Sequence, residues 1–185
     1  MTHGYALFAS AVGHCGIAWS DEGIVGVNLP EVNEAATRAR MRRRFAPATE
    51  AAPPPPVQHA IDGIVALLRG EAVALTDIRL DMSEVAPFQR RVYEVARGIP
   101  PGATMSYGEI AARIGEPGAA RSVGHALGTN PFTIVVPCHR VLAAGGKMGG
   151  FSAYGGVDTK VKLLAIEGAL SNSPGLFDDQ ESMSD

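Results

Sequence analysis

Apolar and polar positions alternate along the first thirty residues. The alternation predicts short strands over residues 5–10, 16–20 and 24–29, with Asp21-Glu22-Gly23 turning between the last two. Residues 31–45 predict a helix, with acids first and arginines last, the order a helix dipole favours. Residues 46–56 contain four consecutive prolines, Pro53 to Pro56, and read as a stiff, extended connector. A second helix over 57–69 and a strand over 73–80 complete a small α/β unit, and residues 82–87 read as the hinge out of it. Beyond the hinge, Phe88, Val92 and Val95 share one face of a helix over 88–97, which ends at Ile99-Pro100-Pro101-Gly102. Ser106-Tyr107-Gly108-Glu109 has the form of a capping box and opens a short helix reaching Ile114. After a turn over 115–118, a third helix covers 119–127, with Gly128 closing it. Three short helices with a tight turn before the last resemble a helix-turn-helix. The β-branched run Phe132-Thr133-Ile134-Val135-Val136 predicts a buried strand, stopped by Pro137, which has no N–H for a ladder. A glycine-rich loop over 145–156 and a helix over 158–167, with Asp158 as N-cap, follow. The Ser/Asp-rich tail from Ser171 is expected to fray, and there is no internal repeat.

At 185 residues, 46% apolar, the chain suits one large domain or two small ones. No apolar run approaches the length of a membrane span, and no signal peptide is expected, because no basic start precedes an apolar core. Two cysteines, Cys15 and Cys138, cannot make a disulfide framework, so a reducing compartment is expected. The net charge of −3 argues weakly against a nucleic-acid partner, but its distribution reverses that reading. Residues 1–87 carry −3, residues 88–166 carry +5 and residues 167–185 carry −5. The positive stretch is the one that holds Cys138, and a polyanion feels such a local field within a Debye length.

Cys138 stands in Pro137-Cys138-His139-Arg140-Val141, at the end of the apolar run. A thiolate there would be the nucleophile, and a neighbouring base or positive field would activate it; the bland reading is a buried structural cysteine. Zinc is excluded by spacing, since there is no Cys-x-x-Cys and Cys15 is remote. A cysteine-hydrolase reading would draw on His125 and Asn130, but neither lies in a recognisable hydrolase context.

The stretch from Phe88 to Gly168 resembles the catalytic domain of the O6-alkylguanine-DNA alkyltransferases, the methylated-DNA–protein-cysteine methyltransferases. The matching residues are Met105-Ser106-Tyr107, Ala119 to Gly124, Gly128-Thr129-Asn130-Pro131, Ile134 to Val141, Gly149-Gly150-Phe151-Ser152 and Leu163 to Gly168. The spacings match along with the pentapeptide, while the first eighty residues resemble the family's variable first domain only loosely. The resemblance implies an α+β chain: a ribonuclease-H-like sheet-and-helix domain over residues 1–82, then a winged-helix-like, helix-turn-helix catalytic domain over 83–170 and an acidic tail over 171–185. It implies irreversible, single-turnover transfer of an alkyl group from guanine O6 in double-stranded DNA to Cys138, with O4-methylthymine left open as a second lesion. The lesion lies inside a duplex, so its nucleotide must be flipped out.

By the same resemblance, His139 passes the thiol proton through water to Glu167, and Asn130 orders the turn beside the nucleophile. Tyr107 assists departure of the base, and Val141, Phe151 and Ser152 line the base and alkyl pocket, Phe151 replacing the usual tyrosine. Arg121 fills the vacated stack from a helix whose Ala119, Ala120 and Gly124 allow close approach to the minor groove, with Ser106 also near DNA. No cofactor, no metal and no membrane partner are expected. The protein is expected in the cytoplasm, or on the nucleoid if bacterial, as a monomer, with clustering on DNA left open. Two other readings compete. Alkyltransferase-like lesion binders replace the nucleophile, which is present here, and the sensor-activators of the family carry an additional Cys-rich metal domain, for which this chain lacks the cysteines. The Arg40-to-Arg44 cluster reads as a solvated helix end, and Tyr154 has no assigned role.

Overall fold

The computed structural model describes residues 2–172. The expected fraying of the acidic tail falls almost wholly outside them. β1 (Gly4–Ser10) and β2 (Gly13–Trp19) form an antiparallel hairpin, with Gly4 opposite Trp19 and Ser10 opposite Gly13. β3 (Ile24–Asn28) pairs antiparallel with β2 across a register shift at Ala18/Trp19, and β4 (Thr49–Glu50) adds parallel to β1. The sheet order is β3-β2-β1-β4. Its two-residue period puts Ala6, Phe8, Cys15, Ile17 and Trp19 on one face and Tyr5, Leu7 and Ala18 on the other.

A helix covers each face. α2 (Pro55–Leu68) lays Val57, Ala60, Ile61, Ile64, Leu67 and Leu68 on the first. α1 (Glu34–Arg44) brings Met41, and Phe45 just beyond it, onto the second. Gly16 and Gly26 lie under α1. A Cβ at either would overlap the Met41 side chain or the Phe45 ring, so α1 lies this close only because both positions are glycine. α1 begins three residues later than predicted, because Asn33 is its cap and accepts from Ala36 N at 2.8 Å. α2 begins at Pro55 rather than 57, since proline is tolerated in a first helical turn that needs no N–H.

The predicted strand over 73–80 is not formed. Leu75 and Ile78 are buried, but Leu80 alone makes a bridge, to Ile24. Arg97 Nη2 takes the carbonyls of Leu75, Thr76 and Ile78 at 3.1, 3.3 and 2.8 Å. Those acceptors are therefore satisfied without a ladder partner.

The second half is built on α3 (Pro87–Arg97), α4 (Tyr107–Arg113) and α5 (Ala120–Gly128), packed through Val92, Tyr93, Ala96, Ile110, Ala111, Val123 and Ala126. The capping box forms as predicted: Glu109 N donates to Ser106 Oγ at 3.0 Å, and Ser106 N donates to Glu109 Oε2 at 2.6 Å. Thr129, not Gly128, caps α5. β5 (Met105–Ser106) and β6 (Val141–Leu142) make a two-residue parallel pair. α6 (Val157–Ile166) is capped by Gly156, at φ 55°, and Asp158 lies inside its first turn rather than capping it. Together the elements make the α+β architecture that the sequence predicts.

One apolar core runs through both halves, from Ile17 and Ile64 to Val123 and Val141, across the expected boundary near residue 82. The open edge of β3 takes up a segment of each half: Ile24 N donates to Arg79 O, within the first, and Val27 N to Pro131 O, across the boundary, each at 2.9 Å. That second bond ties the segment leading to Cys138 directly onto the first sheet. No helix among the described residues is long and apolar enough to cross a membrane.

Candidate active site

The run Phe132–Val136 is buried, as predicted, but it is a loop and not a strand. Ile134 takes a left-handed conformation at φ 77°, and only isolated bridges touch Phe132, Thr133 and Val136. Asn130 supplies the order a ladder would have given. Its Oδ1 accepts from Phe132 N and its Nδ2 donates to Val136 O, both at 2.9 Å. A β-branched run satisfies burial in either form, so its pattern could not separate strand from clamped loop. The chain then enters a 3₁₀ turn, Cys138–Arg140, so consecutive side chains fan around a tight helix instead of pointing to opposite faces.

Behind the cysteine lies a buried ionic cluster. His139 is fully buried, and its Nε2 lies 2.8 Å from Glu167 Oε1. Arg140 holds the same carboxylate with two bonds, Nε to Oε2 at 2.9 Å and Nη2 to Oε1 at 2.7 Å, and its Nη1 donates to Ile99 O at 2.6 Å. Burial alone would raise the Glu167 carboxyl, but the hydrogen bonds from His139 and Arg140 outweigh it and hold the group at about 2. Burial pushes His139 below its ordinary value, opposed by the hydrogen bond to Glu167. An ionised Glu167 can only accept, so the neutral imidazole carries its proton on Nε2 and leaves a lone pair on Nδ1. Nδ1 is buried and has no hydrogen-bond partner. An unprotonated nitrogen held this way is a ready base.

Cys138 is 8% exposed. Burial raises its thiol, and a hydrogen bond from Asn130 and the charge of Lys160 oppose the rise. The resting sulfur is thus a thiol, and its ionisation would need a base. Sequence reading missed Lys160. It is fully buried, and its Nζ donates to Val141 O at 2.7 Å, Met148 O at 2.5 Å and Gly150 O at 3.4 Å, strapping the glycine-rich loop to α6. Burial lowers its ammonium to about 8, opposed by Cys138, and Nζ sits 5.8 Å from the centre of the Tyr107 ring. A signal existed: Lys160 lies three and four residues before Leu163 and Leu164, on the face those leucines bury. Nothing near Arg140 in sequence points to its carboxylate partner, which lies 27 residues further on.

Two cavities meet at Cys138. One, of about 530 Å³, is lined by Tyr107, Ala120, Arg121, Gly124, Gly150, Phe151 and Ser152 among others. The other, of about 380 Å³, opens toward the first domain. The structure thus brings Cys138, Tyr107, Arg121, Ala120, Gly124, Phe151 and Ser152 to one space. Gly149, at φ 68°, packs so close that a Cβ there would stand 2.9 Å from the Tyr107 hydroxyl. Ala119, Ser106 and Val141 do not line either cavity. Ser106 caps α4, Ala119 caps α5, and Val141 is fully buried, with its carbonyl bound by Lys160. His139 and Glu167 line neither cavity, and Asn130 lines the smaller one.

Cys15 lies buried in β2, its thiol pushed up to about 11 by burial against a hydrogen bond from Ser10. His3, His14 and His59 pair separately with Asp21, Glu34 and Asp77. Among the described residues, no group of three or more His, Cys, Asp or Glu side chains could hold a metal ion.

Residues 87–169 match the family model of the 6-O-methylguanine DNA methyltransferase DNA binding domain. The chain is 36% identical over 153 residues to the methylated-DNA–protein-cysteine methyltransferase of Methanothermobacter thermautotrophicus, covering 83% of this chain and 78% of that one. It is 52% identical over 108 residues to the protein of that name from Mycolicibacterium paratuberculosis; that match covers 58% of this chain and 63% of the relative. In structure it is similar to Mycobacterium tuberculosis OGT in complex with DNA, with a TM-score of 0.71, 36% identity, and coverage of 89% of this chain and 92% of that one.

Proposed function

The chain belongs to the methylated-DNA–protein-cysteine methyltransferase family, and from that premise we propose that it repairs DNA by direct reversal. It moves the alkyl group of O6-methylguanine in duplex DNA irreversibly onto Cys138. One observation carries this reading. A cysteine on the wall of a cavity large enough for a single purine is followed by a buried histidine whose Nε2–H is committed to Glu167 and whose Nδ1 is unpartnered.

The steps follow from that arrangement. The damaged nucleotide leaves the stack and enters the larger cavity. Arg121, exposed at the start of α5 on the cavity rim, occupies the gap in the duplex. The positive charge of residues 88–166 favours the phosphate backbone, which sets affinity without reading sequence. His139 Nδ1 takes the thiol proton, through water, and the imidazolium that forms is stabilised by ionised Glu167. Arg140 keeps that carboxylate in place, and Lys160 lowers the cost of the thiolate. The sulfur attacks the alkyl carbon, the carbon–O6 bond breaks, and guanine departs with that electron pair and regains a proton. Tyr107, on the wall of the same cavity, assists departure of the base.

The product is a thioether, a very poor leaving group, so each molecule acts once. In the same reading the protein works as a monomer in the cytoplasm, where a reducing medium preserves the thiol. The test is incubation with a duplex carrying labelled O6-methylguanine, followed by digestion. The label should appear on the Cys138 peptide, stoichiometrically, and Cys138→Ser should bind DNA yet acquire none. Repeated turnover, or label on another residue, would refute the proposal.

A further inference from the structure

The smaller cavity takes no part in the transfer described above, yet it shares Gly128, Cys138, Phe151 and Ser152 with the larger one. Its remaining wall is mostly polar, and half of it comes from the first domain, with Asn28, Glu31, Arg40 and Arg44 facing Asn130 and Tyr154 of the second. We propose that it is a subsite for the distal, negatively charged end of a longer alkyl lesion, such as a carboxyalkyl group on guanine O6, with Arg40 as the group that recognises the charge. The inference rests on the alkyl-transfer reading and deepens it.

The geometry of displacement sets the direction. Sulfur, reacting carbon and departing oxygen lie in line, so the rest of the alkyl chain must project sideways from that axis. The base fills the larger cavity, and the adjoining space at the same sulfur is the smaller one. At about 380 Å³ it is about 9 Å across if compact, room for a chain of several carbons and a carboxylate.

The charges select the class. Two guanidiniums face one carboxylate, Glu31, which partly opposes an anion but leaves a positive excess. Arg44 is already engaged: it donates to Asn28 Oδ1 at 3.4 Å and Pro131 O at 3.2 Å, and it lies over the Phe45 ring at 4.7 Å. Arg40 uses only Nε, within 3.2 Å of both Asn28 Oδ1 and Glu31 Oε1. Among the described residues its two Nη groups have no partner, and together they form the planar fork that binds a carboxylate through two bonds. The bond changes are those of methyl transfer: sulfur–carbon forms, carbon–O6 breaks, the thiol proton ends on guanine, and the carboxylate is carried unchanged onto the thioether.

The test compares single-turnover transfer from duplexes carrying O6-methyl-, O6-pentyl- and O6-(carboxybutyl)guanine, using the full chain. Wild type should transfer carboxybutyl about fivefold or more faster than pentyl, the scale of one charge-assisted pair. Arg40→Gln should bring that ratio to about one and leave methyl transfer unchanged, and Arg40→Glu should invert it. A wild-type ratio of one or less, or a ratio indifferent to both Arg40 variants, overturns the subsite. Failure of wild type to transfer even methyl overturns the alkyl-transfer reading, and the subsite falls with it.

Discussion

Replacing Glu167 with glutamine should destabilise the protein far more than its single-atom change suggests. The carboxylate is 3% exposed and accepts three bonds, one from His139 and two from Arg140. Glutamine keeps one acceptor and turns the other into a donor facing donors. It also leaves Arg140 buried without its counter-charge, a change that typically costs about 3–5 kcal/mol. The titration of Glu167 leads to a similar figure. A carboxyl held at about 2 instead of its ordinary 4.5, at about 1.4 kcal/mol per unit, contributes roughly 3 kcal/mol. The folded value lies below the unfolded one, so this contribution is fully present above pH 4.5 and is lost as pH falls toward 2. His139 acts earlier. Its folded value lies below the ordinary 6.5, so the stability from keeping it neutral fades as pH drops beneath 6.5. Urea unfolding of both proteins across pH 7 to 2 separates the two. Wild type should exceed Glu167→Gln by roughly 3 kcal/mol at pH 7, and the gap should close below pH 4.5. A gap under about 1 kcal/mol at pH 7, or one that persists at pH 2, would refute this account of the cluster.

Asn130→Ala removes both clamps of the Phe132–Val136 loop and strands two buried backbone groups; it should cost about 2–4 kcal/mol in thermal unfolding. A loss under about 1 kcal/mol would mean the loop holds its shape without them. Arg121→Ala should change stability by no more than about 0.5 kcal/mol, because the side chain is exposed and makes no hydrogen bond or ion pair among the described residues. It should slow transfer from duplex DNA tenfold or more, while leaving the reaction with free O6-methylguanine base unchanged, since only the duplex requires flipping. Equal rates on duplex for variant and wild type would contradict that role.

Local chemistry was legible wherever a residue's neighbours in sequence decide its state. The three strands, the capping box at Ser106 and Glu109, and the helices at 87–97 and 120–128 all depend on contacts within a few residues. The two segments expected as strands share one cause of error. Residues 73–80 and 132–136 carry a strand's apolar pattern, and most of their apolar side chains are buried as expected. Whether a buried segment joins a ladder depends on where its backbone groups find partners. Those partners, Arg97 for one segment and Asn130 for the other, are side chains that the pattern does not register.

The order of residues around Cys138 determined by itself that a thiol, an imidazole and a turn-forming asparagine would stand close together, because all lie within nine positions of one another. Tertiary structure alone decided the rest. Glu167 and Arg140 meet 27 residues apart in sequence, Lys160 reaches back to three carbonyls, and α1 delivers Arg40 and Arg44 to a cavity that Cys138 also lines. Charges cost free energy to bury unless partners are in place. Such pairings are therefore settled only when the core has closed and brought together segments that pattern alone treats as independent.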